Sequence, residues 1–501
     1  MNDIGFGSLG GILPEIILLV GGLLILLLDM AQGDEQESGS GFMAVTVLFL
    51  IVGLVGVVLQ LDMPPTVVVA MVDIDLFATF LKILVYTGMI LVAIGGGGYM
   101  NRHATGRGEF WSLFIFVTLA MSIAVSANNL LLLFLSIEFL SITSYILAGF
   151  LRENRRSAEA GIKYFLYGSV ASALMLYGMS LLYGASGSIY LRAIGETFTA
   201  TPELGAVILP AALLTLVGFG FKASLAPFYQ WAPDTYDGAP TPITAYLSTA
   251  SKAVGFAVMA RVLIVALGAY QVDWVPVLAG LSILTMTVGN LVALRQTSVK
   301  RMLAYSSVAQ AGYVLMGLTA IVSSNVADIS TLSMNGLNGL LLYLFAYLFT
   351  NIGAFMVVLA VEDVTGSNEM EAYANLAQRA PGLAWAMFIF LLSLTGIPLT
   401  GGFVGKFYVF GAAVQHQYFW LVGIGVINAG IAAFYYLNIV RYMFFAPSEE
   451  HVIGPARLAV PVSIQVIVLL CVFATIWIGL YPPNIIEWAN DASRQLLALM
   501  L

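Results

Sequence analysis

Residues 218–228 read GFGFKASLAPF, and residues 395–407 read TGIPLTGGFVGKF. Each stretch places Gly, Pro and one lysine inside a long apolar run. Because a bilayer offers the backbone no hydrogen-bond partners, such an interruption is tolerated only where protein or water satisfies the freed groups. Paired interrupted segments in the two halves of a chain are typical of transporters built from repeats. The two stretches therefore predict broken helices at membrane depth.

The composition of the whole chain supports a membrane protein. Of its 501 residues, 60% are hydrophobic and 9% are charged, whereas soluble domains carry about a quarter charged residues. This excludes a soluble enzyme and predicts an all-α polytopic membrane protein. The net charge is −8 and no basic run is longer than Arg155-Arg156, so a nucleic acid has no surface to bind and is not expected as a partner.

Residues that could hold a redox centre are scarce. The one cysteine, Cys471, lies in an apolar stretch, which excludes a disulfide framework and a Cys-ligated iron–sulfur cluster and favours a buried small side chain. The three histidines, His103, His416 and His451, lie in or beside predicted loops. We therefore expect no metal, no cofactor and no redox centre in this chain.

Apolar runs long enough to cross a bilayer recur along the chain, since a spanning helix needs about 20 residues. The first run lacks a preceding basic region and a cleavage site of small residues, so we interpret it as a retained helix. Apolar length and Gly, Pro and charge punctuation predict about fourteen transmembrane helices. They lie near residues 11–28, 42–61, 76–98, 110–127, 129–150, 160–184, 204–228, 241–268, 274–294, 301–322, 335–360, 382–412, 418–445 and 459–481.

The two broken helices are the seventh and the twelfth of these spans. Their offset of five is odd, so equivalent helices would cross the membrane in opposite directions. This predicts inverted five-helix repeats from spans 4–8 and 9–13; glycines in ordinary close-packed helices are the alternative explanation of the breaks. The predicted organisation is an N-terminal three-helix segment (1–109), a first antiporter-like repeat (110–268), a second inverted repeat (269–445) and a C-terminal span and tail (446–501).

The basic residues of the loops are distributed unevenly. Loops after even-numbered spans, together with the termini, hold only Arg192 and Arg494. Because cytoplasmic loops are enriched in Lys and Arg, both termini are expected on the non-cytoplasmic side. Loops after odd-numbered spans, with the adjoining span ends, hold Arg102, Arg107, Arg152, Arg155, Arg156, Arg295, Lys300, Arg301, Arg379, Arg441 and Arg457.

Six further basic residues fall within the predicted spans: Lys82, Lys163, Lys222, Lys252, Arg261 and Lys406. A lysine at the centre of a membrane helix costs about 2.5 to 3.5 kcal/mol on insertion scales. Lys163 lies near the start of its span, where it could anchor the helix at the interface. Arg261 could pair with a carboxylate or reach an interface. The role of Lys82 is likewise left open.

Lys252 lies eleven residues after Thr241, near mid-membrane at about 1.5 Å per residue. Lys222 and Lys406 lie in the broken spans, and Glu138 is an acidic residue within the fifth span. Burial favours the neutral forms of Lys and Glu, whereas a nearby opposite charge favours the charged forms. One carboxylate and three deep lysines predict a proton path; a static Glu–Lys pair that locks two helices is the alternative.

Several ordered motifs resemble the antiporter-like membrane subunits of respiratory complex I. They are SIEFLSITSYILAGF (136–150), SAEAGIKYFLYGS (157–169), WAPDTYDGAPTPITAYLSTASK (231–252), AYSSVAQAGY (304–313) and LTGIPLTGGF (394–403). The resemblance covers about the whole chain after Phe110. The form of residues 234–240 and the lysine at position 406 favour one particular member of the family.

The resemblance implies roles for the charged residues. It implies that Glu138 on the fifth span pairs with Lys222 on the seventh and that Lys163 acts beside this pair. It further implies that Lys252 lies on a central polar axis and that Lys406 leads to the outer exit.

The resemblance also implies a function: a proton-translocating membrane-arm subunit of NADH-quinone oxidoreductase in a bacterial plasma membrane. NADH, FMN, iron–sulfur clusters and quinone would then belong to the assembled complex. Partners would be the other antiporter-like and small membrane-arm subunits, the bilayer and protons. The alternatives are a subunit of a multisubunit cation/proton antiporter or a membrane-bound hydrogenase, and a structural spacer in the membrane arm.

Two positions depart from the family pattern. Tyr229 and Gln310 stand where the family often has histidine. Tyrosine has a reference pKa near 10 and glutamine does not titrate, so relay through imidazole is not expected at either position. Water chains, hydroxyls and the lysines would then carry more of the path.

Overall fold

A computed structural model describes residues 10–32, 39–201, 204–321, 334–445 and 453–500. Within these ranges the regular structure consists of twenty α-helices, several short 3₁₀ or π turns and one β-hairpin. The helices of the first half are α1 (Leu13–Gln32), α2 (Gly39–Val58), α3 (Leu76–His103), α4 (Arg107–Ser126), α5 (Leu130–Ala148), α6 (Arg155–Ser186), α7 (Leu191–Ala200), α8 (Gly205–Ala223), α9 (Trp231–Gly238), α10 (Thr241–Ser248) and α11 (Ala250–Arg261). Those of the second half are α12 (Gln271–Ala293), α13 (Val299–Thr319), α14 (Gly336–Thr365), α15 (Leu376–Arg379), α16 (Pro381–Thr395), α17 (Gly401–Gln415), α18 (Phe419–Phe445), α19 (Val462–Leu480) and α20 (Pro483–Leu497).

Twelve helical segments of the described chain are long and apolar enough to cross a membrane. The two remaining predicted spans correspond to α13 and to the pair α16 and α17, which are separated by a break. The all-helical membrane fold predicted from the sequence is therefore confirmed. The count of fourteen crossings and the inverted relationship of the two repeats stay predictions.

Both predicted breaks occur in the structure. The helix α8 ends at Ala223, Ser224 adopts a left-handed conformation (φ 58°), and the chain becomes helical again at α9. The helix α16 ends at Thr395, and Gly396 follows with a φ of 94°. Glycine adopts this left-handed conformation without a steric penalty, which explains why the sequence breaks here.

A third break was not predicted. The sequence predicted a span near residues 241–268, and within it α10 and α11 are separated at Thr249, whose φ and ψ are −121° and −85°. A π-helix then covers Val262–Ala266. The hydroxyl of Thr249 donates to the carbonyl oxygen of Ala245 (2.7 Å). The segment Thr241–Ala266 is still one of the candidate spans, as predicted, but no Gly or Pro marks the interruption at Thr249.

The core of the second half is α14, a 30-residue helix buried along most of its length. It packs against α13, α16, α17 and α19, and also against α10 from the first half. Around it, α12 and α13 approach so closely that a Cβ at Gly289 would lie 2.5 Å from the backbone nitrogen of Ala309. This dense packing surrounds the broken helices and holds their ends inside protein.

Two basic residues whose roles the sequence left open, Lys82 and Arg261, form buried ion pairs. Lys82 on α3 lies 2.7 Å from a carboxylate oxygen of Glu15 on α1, and both side chains are buried. Arg261 lies 2.8 Å from Asp75 and 3.4 Å from Asp73. Asp73 lies in the second strand of a hairpin formed by β1 (Thr66–Val68) and β2 (Val72–Ile74), and Asp75 directly follows that hairpin. Both cations therefore pair with carboxylates instead of reaching an interface.

Candidate proton path along buried lysines

The first buried lysine lies where α8 ends. The Nζ of Lys222 donates to the hydroxyls of Ser141 and Tyr164, each at 3.2 Å, and lies over the Tyr164 ring. Glu138 lies one helical turn before Ser141 on α5, and it accepts a hydrogen bond from the Ser172 hydroxyl of α6. Lys222 thus contacts the helix that carries Glu138, and within the described residues the two side chains form no direct ion pair.

Lys163 has different surroundings from the other candidate lysines. It is partly exposed, and its Nζ lies 2.7 Å from Glu159 and 2.8 Å from Asp234 on α9. Asp234 also pairs with Arg301 at 2.7 Å. Lys163 is adjacent in sequence to Tyr164, which contacts Lys222. It therefore belongs to an ion-pair cluster next to the Lys222 site.

The second buried lysine, Lys252, lies in the first turn of α11, directly after the break at Thr249. Its Nζ donates to the carbonyl oxygen of Ser307 (2.7 Å) and to the hydroxyl of Ser307 (2.5 Å). The hydroxyls of Tyr236 and of Ser224, which lies two residues after Lys222, are buried without a hydrogen-bond partner among the described residues. Hydroxyl groups therefore occupy the space between the first and second lysines.

A glycine allows this part of the site to be compact. A Cβ placed on Gly255, one turn after Lys252, would lie 3.0 Å from the backbone nitrogen of Ala223 and 3.1 Å from the carbonyl carbon of Lys222. Only a residue without a side chain lets α11 approach α8 this closely. Gly255 therefore sets the spacing between the helices that carry Lys222 and Lys252.

The third buried lysine binds the open end of a broken helix. The Nζ of Lys406 on α17 donates to the carbonyl oxygens of Leu394 and Thr395, each at 2.8 Å, and lies 4.6 Å from the centroid of the Tyr313 ring. The last carbonyls of a helix lack intrahelical partners and carry partial negative charge. The break after Thr395 thus creates the site that holds the ammonium group.

Gln310 connects the second and third lysines. Its amide donates to the Leu394 carbonyl (2.9 Å), the same oxygen that binds Lys406. On α13, Gln310 lies one turn after Ser307, the partner of Lys252. Gln310 also contacts the hydroxyls of Tyr436 and Tyr343. The position that departs from the family pattern therefore lies within the polar network. Tyr229, by contrast, is partly exposed and packs against Tyr305.

The charges of these three lysines are weakly compensated. In the described part of the chain, no carboxylate lies within 4.0 Å of the Nζ of Lys222, Lys252 or Lys406. All three side chains are buried. Burying an ammonium group among neutral hydroxyls and carbonyls costs free energy. Each of these groups can therefore change its protonation state when a nearby charge moves.

One charged pair was missed by the sequence reasoning, which placed Lys300 in a loop. The structure buries Lys300 in the first turn of α13, where it donates to the Ala239 carbonyl (2.8 Å) and lies 3.5 Å from Glu362. The pair borders a cavity of about 450 Å³ that Asp237 and Arg156 also line. The adjacent Arg301 made Lys300 resemble an interface anchor, and its partner is 62 residues away in sequence.

Cys471 is buried on α19, as expected from its apolar surroundings. His103 ends α3 and His416 follows α17, whereas His451 lies outside the described residues. Over those described ranges, no group of three or more His, Cys, Asp or Glu side chains is arranged to hold a metal ion.

Comparisons with known proteins agree with this geometry. Residues 127–432 match the family model of the NADH:quinone oxidoreductase/Mrp antiporter transmembrane region. NADH-quinone oxidoreductase subunit N of Trichlorobacter lovleyi is 39% identical, and the alignment covers 97% of each chain. Subunit N of Desulforamulus reducens is 38% identical over 97% of this chain and 98% of the relative.

Solved structures show the same fold. A chain of respiratory complex I from Thermus thermophilus, solved with bound aureothin, is 31% identical with a TM-score of 0.78. The match covers 95% of this chain and 99% of that chain. A chain of the Mrp complex from a Dietzia species has a TM-score of 0.84 at 19% identity and covers 98% and 97% of the two chains. The second likeness concerns the fold alone.

Both relatives carry the same printed name, NADH-quinone oxidoreductase subunit N, and each covers nearly the whole chain. The chain belongs to the NADH:quinone oxidoreductase/Mrp antiporter family and, within it, to the NADH-quinone oxidoreductase subunit N proteins.

Proposed function

We propose that this chain is a proton-translocating subunit in the membrane arm of an NADH-quinone oxidoreductase. The observation that carries the proposal is the series of three buried lysines, Lys222, Lys252 and Lys406, which lack carboxylate partners within the described residues and are connected by hydroxyl, amide and carbonyl groups. Glu138 and Lys163 complete the set of groups that we expect to act in transfer.

The first step concerns Glu138 and Lys222. Glu138 lies one turn before Ser141, which contacts Lys222, so a small movement of α5 would bring the carboxylate closer to the ammonium or take it away. Approach of the carboxylate stabilises the protonated lysine, and its withdrawal favours release of the proton. Lys163, bound to Asp234 on α9, places a further charge beside Tyr164 and so influences the same site.

Release from Lys222 would change the charge that Lys252 experiences across the contact at Gly255. The proton on Lys252 can leave through the hydroxyl of Ser307, which would accept it while donating its own proton to a water molecule. Gln310 does not titrate. Its role in this scheme is to orient the Leu394 carbonyl that holds Lys406 near the exit.

The energy for this transfer must come from partner subunits. Moving one charge against the membrane potential costs about 2.3 kcal/mol per 100 mV. In this proposal NADH, FMN, iron–sulfur clusters and quinone belong to the assembled complex, and the other antiporter-like and small membrane-arm subunits transmit the driving change. The chain would lie in a bacterial plasma membrane, with both termini on the non-cytoplasmic side and inverted repeats over residues 110–268 and 269–445.

The test is to replace Glu138 by Gln and Lys222 by Met, separately, in the assembled complex. Assembly, NADH-quinone electron transfer and proton translocation are measured on the same membranes. We expect fewer protons translocated per electron in each variant with the complex assembled, whereas Arg295→Gln, on an exposed side chain, serves as the control. An unchanged proton-to-electron ratio in both variants would contradict the proposal. Sodium-dependent proton exchange without NADH oxidation would instead support an antiporter subunit.

A further inference from the structure

A groove lies between the first turns of α16 and the first half of α19. Its volume is about 540 Å³. One wall carries Trp385 and Ile389 of α16, and the other carries Leu469 and Val472 of α19. Trp385 is 56% exposed and Leu469 is 68% exposed. Both walls therefore present apolar side chains toward the surroundings of the protein along two helices that we expect to cross the membrane.

One end of the groove is basic. Arg379, the last residue of α15, is 6% exposed, and Arg457 is exposed on the segment before α19. The guanidinium of Arg379 donates to the main-chain carbonyls of Ile453 (2.8 Å) and Pro455 (3.0 Å) and to that of Ala372 (2.9 Å). All of these acceptors are neutral, so they do not cancel its charge.

Carboxylates do not neutralise this end within the described residues. None of the described carboxylates forms an ion pair with Arg379 or Arg457, and the groove lining contains no Asp or Glu. Two positive charges therefore face one end of an apolar groove. An anion is the ligand that complements them.

The backbone at the same end also favours an anion. The helix α16 begins at Pro381 without a side-chain cap, and the space around Gly382 is open, with no atom within 4 Å of a Cβ placed there. The N-terminus of a helix carries partial positive charge and unpaired N–H groups. Gly382 and Leu383 of this first turn line the groove together with the two arginines.

We propose that this groove binds an anionic glycerophospholipid, with the phosphate at Arg379, Arg457 and the start of α16 and an acyl chain along α16 and α19. A soluble phosphate would use only the basic end, whereas a lipid also covers the apolar walls. Both arginines lie in loops that the distribution of basic residues assigns to the cytoplasmic side. Anionic lipids are found on that side of the membrane and bind basic pockets between helices. Trp385 lies about one turn into α16, so in this proposal it would occupy the interfacial zone where tryptophan is enriched.

The test uses the assembled complex in nanodiscs that contain phosphatidylglycerol carrying a photoreactive group in its acyl chain. Crosslinked peptides are mapped by mass spectrometry, and matched nanodiscs contain photoreactive phosphatidylcholine. We expect phosphatidylglycerol to label residues 381–389 and 465–472 in preference to phosphatidylcholine. Arg457→Gln should weaken this labelling about fivefold, the effect of one basic residue near an anionic lipid, whereas Arg457→Lys should retain most of it.

Arg295→Gln, which removes an exposed arginine away from the groove, is the matched control and should leave the labelling unchanged. Arg379→Gln is tested second, with assembly measured alongside, because Arg379 also holds the segment of Ile453 and Pro455. Equal labelling by both lipids, or labelling that Arg457→Gln does not change, would overturn the proposal. Displacement of the photoreactive lipid by inorganic phosphate at millimolar concentration would also overturn it and indicate a site for a free anion.

Discussion

The ammonium group of Lys406 donates a hydrogen bond to the main-chain carbonyl of Leu394, across the break between α16 and α17. The same carbonyl accepts a hydrogen bond from the amide of Gln310 on α13. A chain break, a buried cation and a neutral amide are therefore joined at one oxygen atom. In the proposed function, this arrangement places the glycine- and proline-rich interruption next to one of the lysines of the proton path.

Gln310→Met should remove the connection between Gln310 and Lys406 at the Leu394 carbonyl oxygen. The substitution removes the hydrogen bonds to Leu394, Tyr436 and Tyr343. Leaving buried polar groups without partners costs about 1 to 3 kcal/mol each. We expect a lower proton-to-electron ratio in the assembled complex, measured with pH-sensitive dyes in vesicles. Gln296→Met, at a residue outside the network, is the control; equal ratios in the two variants would argue against a role for Gln310.

Gly255→Ala should disturb the contact between α8 and α11. The added Cβ would press against the backbone of Lys222 and Ala223. We expect less assembled complex and a lower melting temperature. In contrast, Gly280→Ala places its Cβ in open space. Alanine is the better helix former by about 1 kcal/mol, so this control should be neutral or slightly stabilising. Thermal denaturation of the purified complex distinguishes the two, and equal behaviour would refute the close contact.

Ser141→Ala should weaken the link between Glu138 and Lys222. The substitution removes the hydroxyl that accepts a hydrogen bond from Lys222 (3.2 Å) and changes no backbone contact. We expect slower proton translocation. Electron transfer should decrease by the same factor as proton translocation or by a smaller one. Ser169→Ala, whose hydroxyl donates to the carbonyl of Phe165 at an exposed position, should behave like the unmodified chain. A loss of the same size in both variants would show that the effect is not specific to Ser141.

Glu15→Gln should destabilise the N-terminal helices. It leaves the buried ammonium of Lys82 without its carboxylate partner, and breaking a buried pair from one side costs about 3 to 5 kcal/mol. We expect a lower melting temperature of the assembled complex and an unchanged proton-to-electron ratio in the fraction that assembles. The double variant Glu15→Gln with Lys82→Met should recover much of the lost stability. No recovery would mean that the pair does not act as a unit.

The sequence predicted the parts of the fold that depend on local chemistry. Gly396 and Pro398 identify one break because glycine adopts a left-handed conformation and proline lacks a donor. The break at Thr249 has no such marker, and the apolar run continues through it. The burial of Lys300 was also missed, because it depends on Glu362, a residue distant in sequence.

In the candidate site, too, features marked by the local sequence were predictable, whereas features that depend on distant residues were not. The depth of Lys252 could be counted from the start of its span, so its burial was predictable. Its partner Ser307 is 55 residues away on another helix, so sequence alone did not reveal it. The contacts of Lys222 with Ser141 and of Lys406 with the carbonyl of Leu394 emerge only from packing, since neither Ser141 nor Leu394 carries a charge.

Replacement of Lys252 by Met tests the central claim most directly, because this lysine is buried, lies between the other two and has only Ser307 as its hydrogen-bond partner among the described residues. Complex assembly, NADH-quinone electron transfer and proton uptake are measured on the same membranes, with Arg295→Met as the control for loss of a basic residue. We predict intact assembly with proton uptake lost or strongly reduced. Normal proton uptake coupled to normal electron transfer would contradict the account and leave the buried lysines with a structural role.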